Sequence, residues 1–276
     1  MSYEAKVILD SVGPNGARLT TMECEYPRFI HSEMLTHRAF SRNSASSRAI
    51  PFAKMIERVT TDPVIPIRWG SEAKGMQQGS ELGEDVAWWC EQSWLAARDD
   101  AVMRAQALHD AGLHKSICNR VVEPWMHIRV IITATSWLNF FRQRCHPDAE
   151  PHMQKIAYLI REAYDGSTPV ARDWHRPYVD EAEGLSVVEL CQVSAARCAR
   201  VSYLTHDGVK NWRKDLELFA KLVNGSGFGH WSPMEHVGFA QPEGQFRRSG
   251  NFRGWMQWRQ EHANHDGDHR NGEKMP

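Results

Sequence analysis

Residues 36–51, THRAFSRNSASSRAIP, set His37, Arg38, Arg42 and Arg48 among Ser41, Asn43, Ser44, Ser46 and Ser47. Forked guanidinium donors beside small hydroxyls and free backbone N–H groups suit a phosphate monoester. The same composition also suits a solvated turn with helix caps. A second stretch, 114–145, carries Asn139 and Arg144 on an otherwise apolar segment. A polar group taken inside needs a partner, which an ion pair or a helix C-terminus capped by Arg144 could equally supply. In a third stretch, GHWSPMEHVGF at 229–239, His230, Glu235 and His236 fall within seven residues. His-x4-Glu-His is not a standard zinc spacing, and no further ligand cluster accompanies it.

These side chains need a scaffold. Residues 5–9 and 18–25 read as two strands around the turn chemistry of Gly13-Pro14-Asn15-Gly16. A helix is expected from Pro27, with Ile30, Met34, Leu35 and His37 on one side. Residues 41–48 read as loop, and the Gly-rich stretch 69–80 as a loop or lid. A long helix is expected over about 81–109, with Leu82, Val86, Trp89, Ser93, Ala97, Ala101 and Leu108 tracking one face. The apolar run 125–141 reads as a buried helix. Met153, Ile156, Ala157, Ile160 and Tyr164 give helical spacing to 152–164. Residues 169–184 read as loop. Two more helices are expected at about 186–201 and 211–223, the second stopping at Asn224-Gly225. No repeat or interdomain linker is evident, so residues 1–261 are expected to form one α+β domain, with 262–276 a polar, frayed tail.

The His-Arg segment resembles the signature of the flavin-dependent thymidylate synthases: Arg-His-Arg, two residues, Ser, one, Asn-Glu, one, Ser, one, Arg-Tyr. His37, Arg38, Ser41, Asn43, Ser46 and Arg48 match; Thr36, Ser44 and Ala49 depart from the usual Arg, Glu and Tyr. Arg120, Asn139 and Arg144 fall on the polar positions of the family's Arg-bearing stretch. His230, Ser232, Glu235 and His236 resemble its Gly-His-x-Ser-Pro-Phe-Glu-His element, with Met234 for Phe. SAARCARVSY at 194–203 is similar to its Ala-Ala-Arg-Val-Ser stretch, which brings in Ser202. In ordinary relatives these last two elements come first. Here they come last, as a circular permutation of the same fold would give.

The resemblance implies an antiparallel sheet with a helical bundle and a homotetramer with sites across subunit interfaces. It also implies C5-methylation of a deoxypyrimidine monophosphate, dUMP to dTMP. Bound FAD, methylenetetrahydrofolate as carbon donor and NADPH as reductant would be required. By position, Ser46, Ser47, Arg48 and Arg120 would hold the substrate phosphate, and Arg144 would face the pyrimidine. His37, Arg38, Asn43, Ser44, Asn139, Ser202, His230, Ser232 and Glu235 would line the flavin site. Glu33 replaces a Gln near the base. A carboxylate accepts only, and so pairs better with the amine of cytosine than with the carbonyl of uracil. That keeps dCMP open as substrate, and hydroxymethyl transfer open as reaction.

Composition narrows the field. A chain of 276 residues with 42% hydrophobic and 24% charged residues can bury a sizeable core. A formal charge of -1 gives no bulk field toward a nucleic acid polymer. No apolar run reaches the roughly 20 residues that cross a bilayer. The opening MSYEAKVILDSV lacks signal-peptide character, so the cytoplasm is the expected location. Six cysteines without CxxC spacing read as reduced packing residues. Two other classes are weighed. A nucleotide- or RNA-binding module would stack bases on tryptophans. A metal hydrolase would draw on the 229–239 histidines together with His262, His265 and His269. The segment 250–259, GNFRGWMQWR, could form an added edge of the active site or pack at a subunit surface.

Overall fold

A computed structural model describes residues 3–179, 184–201, 211–224 and 229–261. Strand β1 (Glu4–Val12) turns back into β2 (Arg18–Pro27). At the turn Gly16 adopts φ +79°, open to a residue without Cβ. These are the two strands expected from the sequence. They lie within a five-stranded sheet in the order β3 (Ser41–Ser44), β4 (His127–Ala134), β2, β1 and β5 (Val170–Ala171). Every pairing is antiparallel except β1 with the short β5 (Val170–Ala171).

The run expected as a buried helix at 125–141 is instead strand β4 (His127–Ala134), followed by helix α5 (Leu138–Arg144). The sequence HIRVIITA is rich in β-branched residues, which favour a pleated surface. The strand lies between β2 and β3 and is buried along most of its length, so its apolar run lacks the alternation that marks a one-sided strand. Residues Ser41–Ser44, expected as loop, form strand β3 at the sheet edge. A polar strand is tolerated where only one neighbour must be paired.

Helix α1 (His31–Leu35) is shorter than expected and follows a 3-10 turn at Arg28–Ile30. It buries Met34 but leaves Leu35 exposed, while His37 lies buried beyond its end. Helix α2 spans Phe52–Thr61, α3 Glu84–Asp110 and α4 Lys115–Val121. The inward face of α3 differs from the expected one. Ala105 is buried, with Trp94, Ala101 and Val102 beside it, whereas Val86 and Trp89 are exposed. Apolar residues lie on several sides of this helix, so spacing alone does not select a face. Trp94 decides it by donating Nε1–H to the Val64 carbonyl at 2.8 Å.

Helix α6 (Pro151–Asp165) packs on β1 and β2, and its Met153, Ile156, Ala157 and Ile160 share one core cluster with Met22, Cys24, Val130 and Ile132. Beyond β6 (Trp174–His175), helix α7 (Val187–Arg200) starts in a capping box of Ser186 and Glu189. Its partner is α8 (Trp212–Asn224). The two are tied by Asp215, which accepts from Arg197 Nε and Arg200 Nε at 2.8 Å each. A 3-10 turn at Ser232–His236 leads into β7 (Gly238–Ala240). Strands β8 (Arg248–Ser249), β9 (Phe252–Arg253) and β10 (Trp255–Gln257) follow, with β10-β7-β6 forming a second sheet. The expected tail, 262–276, and the Gly225 stop lie outside the described residues. No helix among the described residues is long and apolar enough to cross a membrane.

Candidate active site

The end of α5 meets the segment after α1. Arg144 donates Nε–H to His37 Nε2 at 3.0 Å and Nη1–H to Glu33 Oε2 at 3.0 Å. Its Nη2 reaches Thr36 Oγ1 at 3.4 Å. Thus the residue replacing the family's first Arg stays within the same cluster. Burial, then the positive charges of Arg144 and Arg42, depress the His37 pKa to about 4. A neutral imidazole can accept at Nε2, as the geometry requires. Phe140 holds its ring edge-on, with centroids 4.9 Å apart. Arg42 caps the same turn through the carbonyls of Met34, Leu35 and His37. One hydrogen on each terminal nitrogen of Arg144 is left uncommitted by these bonds, at a position still partly open to solvent.

A second cluster lies where β3 meets the Ser232–His236 turn. Asn43 donates to the Cys198 carbonyl at 3.3 Å and accepts from Ser232 Oγ at 3.1 Å. This joins the His-Arg segment to both C-terminal elements. Ser41, wholly buried, receives amide hydrogens from Gln257 at 3.1 Å and Asn251 at 3.4 Å. Glu235 is ion-paired with Arg259. The segment 250–259 therefore folds under this cluster within its own chain, burying Trp255 and Trp258. Sequence reading flagged the segment 250–259 that carries Asn251, Gln257 and Arg259 but not their partners, which nothing in their spacing marks.

The third cluster is the turn after β3. Asn119, buried on α4, donates to the carbonyls of Ser47 and Ile50 at 2.7 and 3.0 Å. Lys115 Nζ reaches the Ala49 carbonyl at 3.0 Å. Ser47 Oγ donates to Glu123 Oε1 at 2.7 Å, so that hydroxyl is already engaged. Arg48 and Arg120 are exposed on the two segments so joined, and Ser46 lies in the same turn. This group and the Arg144 cluster flank opposite ends of β3. Ser44 pairs with Val130 in the sheet. Arg38, Asn139 and His230 are exposed, without a side-chain hydrogen bond or ion pair among the described residues. Ser202, His262, His265 and His269 lie outside the described residues.

Behind these clusters runs a buried polar chain that the sequence did not announce. Ser11 Oγ bonds His175 Nδ1 at 2.8 Å, and His175 Nε2 bonds Thr21 Oγ1 at 2.7 Å. Thr21 Oγ1 then bonds Thr133 Oγ1 at 2.7 Å, and Thr133 Oγ1 bonds His236 Nδ1 at 2.8 Å. Burial drives the pKa of both histidines down to about 3. In the 229–239 element the side chains part company: His236 turns inward to Thr133, Glu235 pairs with Arg259, and His230 stays at the surface.

Comparison with known proteins adds three findings. The family model described as thymidylate synthase complementing protein matches residues 18–170. No curated protein matches the chain. A crystal structure of a UMP/dUMP methylase, PolB from Streptomyces cacaoi, bound with 5-Br dUMP, is similar at a TM-score of 0.46 and 14% identity. The match covers 59% of this chain and 90% of that one.

Proposed function

The chain belongs to the family of thymidylate synthase complementing proteins, and on that premise we propose that it methylates C5 of a deoxypyrimidine monophosphate, with bound FAD, methylenetetrahydrofolate and NADPH. The observation that carries this reading is the meeting of Arg144 with Glu33 and His37, side chains more than 100 residues apart in sequence. Arg144 keeps two N–H donors for the pyrimidine edge. A permanently charged guanidinium stabilises negative charge developing on the ring. His37 stays neutral and orients that guanidinium without competing as a second cation. Arg48 and Arg120, with Ser46, hold the phosphate. Because they lie across β3 from Arg144, one site draws them from one copy and Arg144 from another, in a homotetramer.

The donor set suits a flavin dinucleotide, since Arg38, Asn139 and His230 are exposed and uncommitted among the described residues. Asn43 and Ser232 organise the adjoining backbone, and Glu235 is fixed by Arg259. Bound there, the flavin would supply hydride transfer, and the protein would supply position and electrostatics. Burial pushes the thiols of Cys24, Cys191 and Cys198 up, away from the thiolate that a cysteine nucleophile requires. That accords with a mechanism without covalent attachment to the enzyme.

A second reading is favoured by Glu33. Salt-bridged to Arg144 at 3.0 Å, it is an acceptor with one oxygen to spare, which suits the amine of dCMP. The test is a side-by-side assay with dUMP and dCMP, methylenetetrahydrofolate and NADPH, with mass analysis of product and an absorption spectrum of the purified protein. A flavin spectrum and a product heavier by one methyl group are expected. Protein that takes up no added FAD and converts neither nucleotide would refute the proposal.

A further inference from the structure

A cavity of about 510 Å³ opens between the turn that joins β1 to β2 and the segment that leads from β5 into β6. Every residue lining it lies outside 18–170, the stretch that matches the family. None belongs to the Arg144, Asn43 or Arg48 groups. Val12 and Pro14 give it an apolar side, and Arg172, Asp173, Trp174 and Arg176 a polar and aromatic one. That second wall is fixed from both sheets. Arg172 N–H donates to the Val12 carbonyl at 3.0 Å, and Ala240 N–H donates to the Asp173 carbonyl at 2.8 Å. The buried Arg176 sets its guanidinium over the Trp174 ring, 5.8 Å from the centroid. Arg172 is half-buried and Asp173 exposed. Two guanidiniums against one carboxylate leave the lining with a positive balance. The space falls within the range of sites that bury a small ligand and far exceeds what an isolated phosphate needs.

We infer that this cavity is a second nucleotide site, one that takes a ribonucleoside phosphate. A guanidinium fork matches phosphate oxygens two at a time, and Arg172 presents one in the cavity wall. An ionised carboxylate only accepts, so Asp173 beside two arginines calls for a ligand with hydroxyl donors as well as an anion. The vicinal hydroxyls of a ribose are such donors, and a deoxyribose has lost one of them. A planar base lies against the indole and guanidinium wall, since aromatic and guanidinium planes both stack on bases. The lining offers no thiol, imidazole or hydroxyl side chain, so the site holds its ligand without transforming it, as an effector site does. The inference stands apart from the methyltransferase reading, because it draws on none of that reading's residues.

The test is calorimetric titration of the full chain, R172Q, D173N and A171W with the four ribonucleoside monophosphates, their 2′-deoxy forms, the free nucleosides and inorganic phosphate. Saturating dUMP is present throughout, to fill the proposed active site. Ala171 and Asp173 are exposed and Arg172 half-buried, so melting temperatures should be unchanged. R172K, which keeps the charge but loses the fork, guards against an unstable Gln variant, and A171W fills the cavity without touching either arginine. At least one ribonucleotide should bind the parent, one per chain, about tenfold more tightly than its deoxy form, its nucleoside or phosphate alone. R172Q should weaken it about tenfold, with R172K intermediate. D173N should bring the ribose form down to the deoxy form, and A171W should abolish binding. No ribonucleotide taken up by the parent would overturn the inference. So would uptake unchanged in R172Q and A171W, or phosphate or a deoxynucleotide bound as tightly as the ribonucleotide. Because the variants sit in this cavity, the result reports on it whether or not the chain converts dUMP.

Discussion

The buried chain Ser11–His175–Thr21–Thr133–His236 makes stability depend on pH in a way that can be worked from its two imidazoles. Both are held near a pKa of 3 against an ordinary 6.5, the cause being burial, with the neighbouring His236 and then Arg172 adding to the effect at His175. Between these values the unfolded chain binds protons that the native chain does not. Stability is therefore full above pH 6.5, declines as pH falls below it, and levels off only near pH 3. At pH 5 each histidine costs the native state about 2 kcal/mol relative to neutral pH. The specific perturbation is H236Q, which keeps a hydrogen-bonding group toward Thr133 and removes one titration. Urea denaturation of the two proteins at pH 7.5 and pH 5.0 gives the double difference. The parent should lose about 2 kcal/mol more than the variant on acidification. Because His31, His37 and His152 also sit near 4, the total loss in either protein is larger; only the difference isolates His236. Equal losses would mean that His236 takes up its proton as readily in the native state as in the unfolded chain, so that burial does not hold it neutral.

Three further outcomes follow from named contacts. R144Q should lower turnover by about a hundredfold or more, the scale of removing an electrostatic stabiliser, while a flavin titration remains unchanged; normal turnover would remove Arg144 from the ring. E33Q, which converts an acceptor-only group into an amide, should raise the dUMP-to-dCMP ratio of kcat/KM, measured by competition, and a fall in that ratio would contradict the base-reading role. D215A strands the buried Arg197 and the half-buried Arg200 between α7 and α8, so urea unfolding should show a loss of about 3–5 kcal/mol; a loss under about 1 kcal/mol would show that the helices dock by apolar contact alone.

What the sequence made legible depended on how local each signal was. The strands β1 and β2 and the helices α6, α7 and α8 declared themselves through turn residues, caps and spacing. Strand β4 did not, because a central strand buried on both faces has the same apolar run as a buried helix, and only its neighbours decide between them. The three-residue junction of Glu33, His37 and Arg144 could be assembled from motif positions, since each segment carries its polar residue at a fixed offset. Gln257, Asn251 and Thr133 could not, because each acts as a buried donor or acceptor for a group far away in sequence. An amide or hydroxyl acquires such a role from the fold, and its spacing along the chain carries no trace of it.

The order of the segments fits this division. The family match runs over 18–170, and the two elements that the sequence resemblance would place ahead of that stretch follow it here. Read as a circular permutation, the rearrangement breaks the covalent link from the Ser232–His236 turn into the central sheet. Noncovalent contacts must then set the turn's position to the precision that a site requires. The bonds Thr133–His236 and Asn43–Ser232 do so directly, and Gln257, bonded to both the Glu235 carbonyl and Ser41, adds a third tie. Each is worth about 1 kcal/mol net, little enough singly, but each buried group would cost more if left unpaired than its bond contributes when made. A displaced turn would strand several such groups at once. The penalty for misplacement therefore rises steeply with displacement, and this is how a severed element can keep its register without a peptide bond to enforce it.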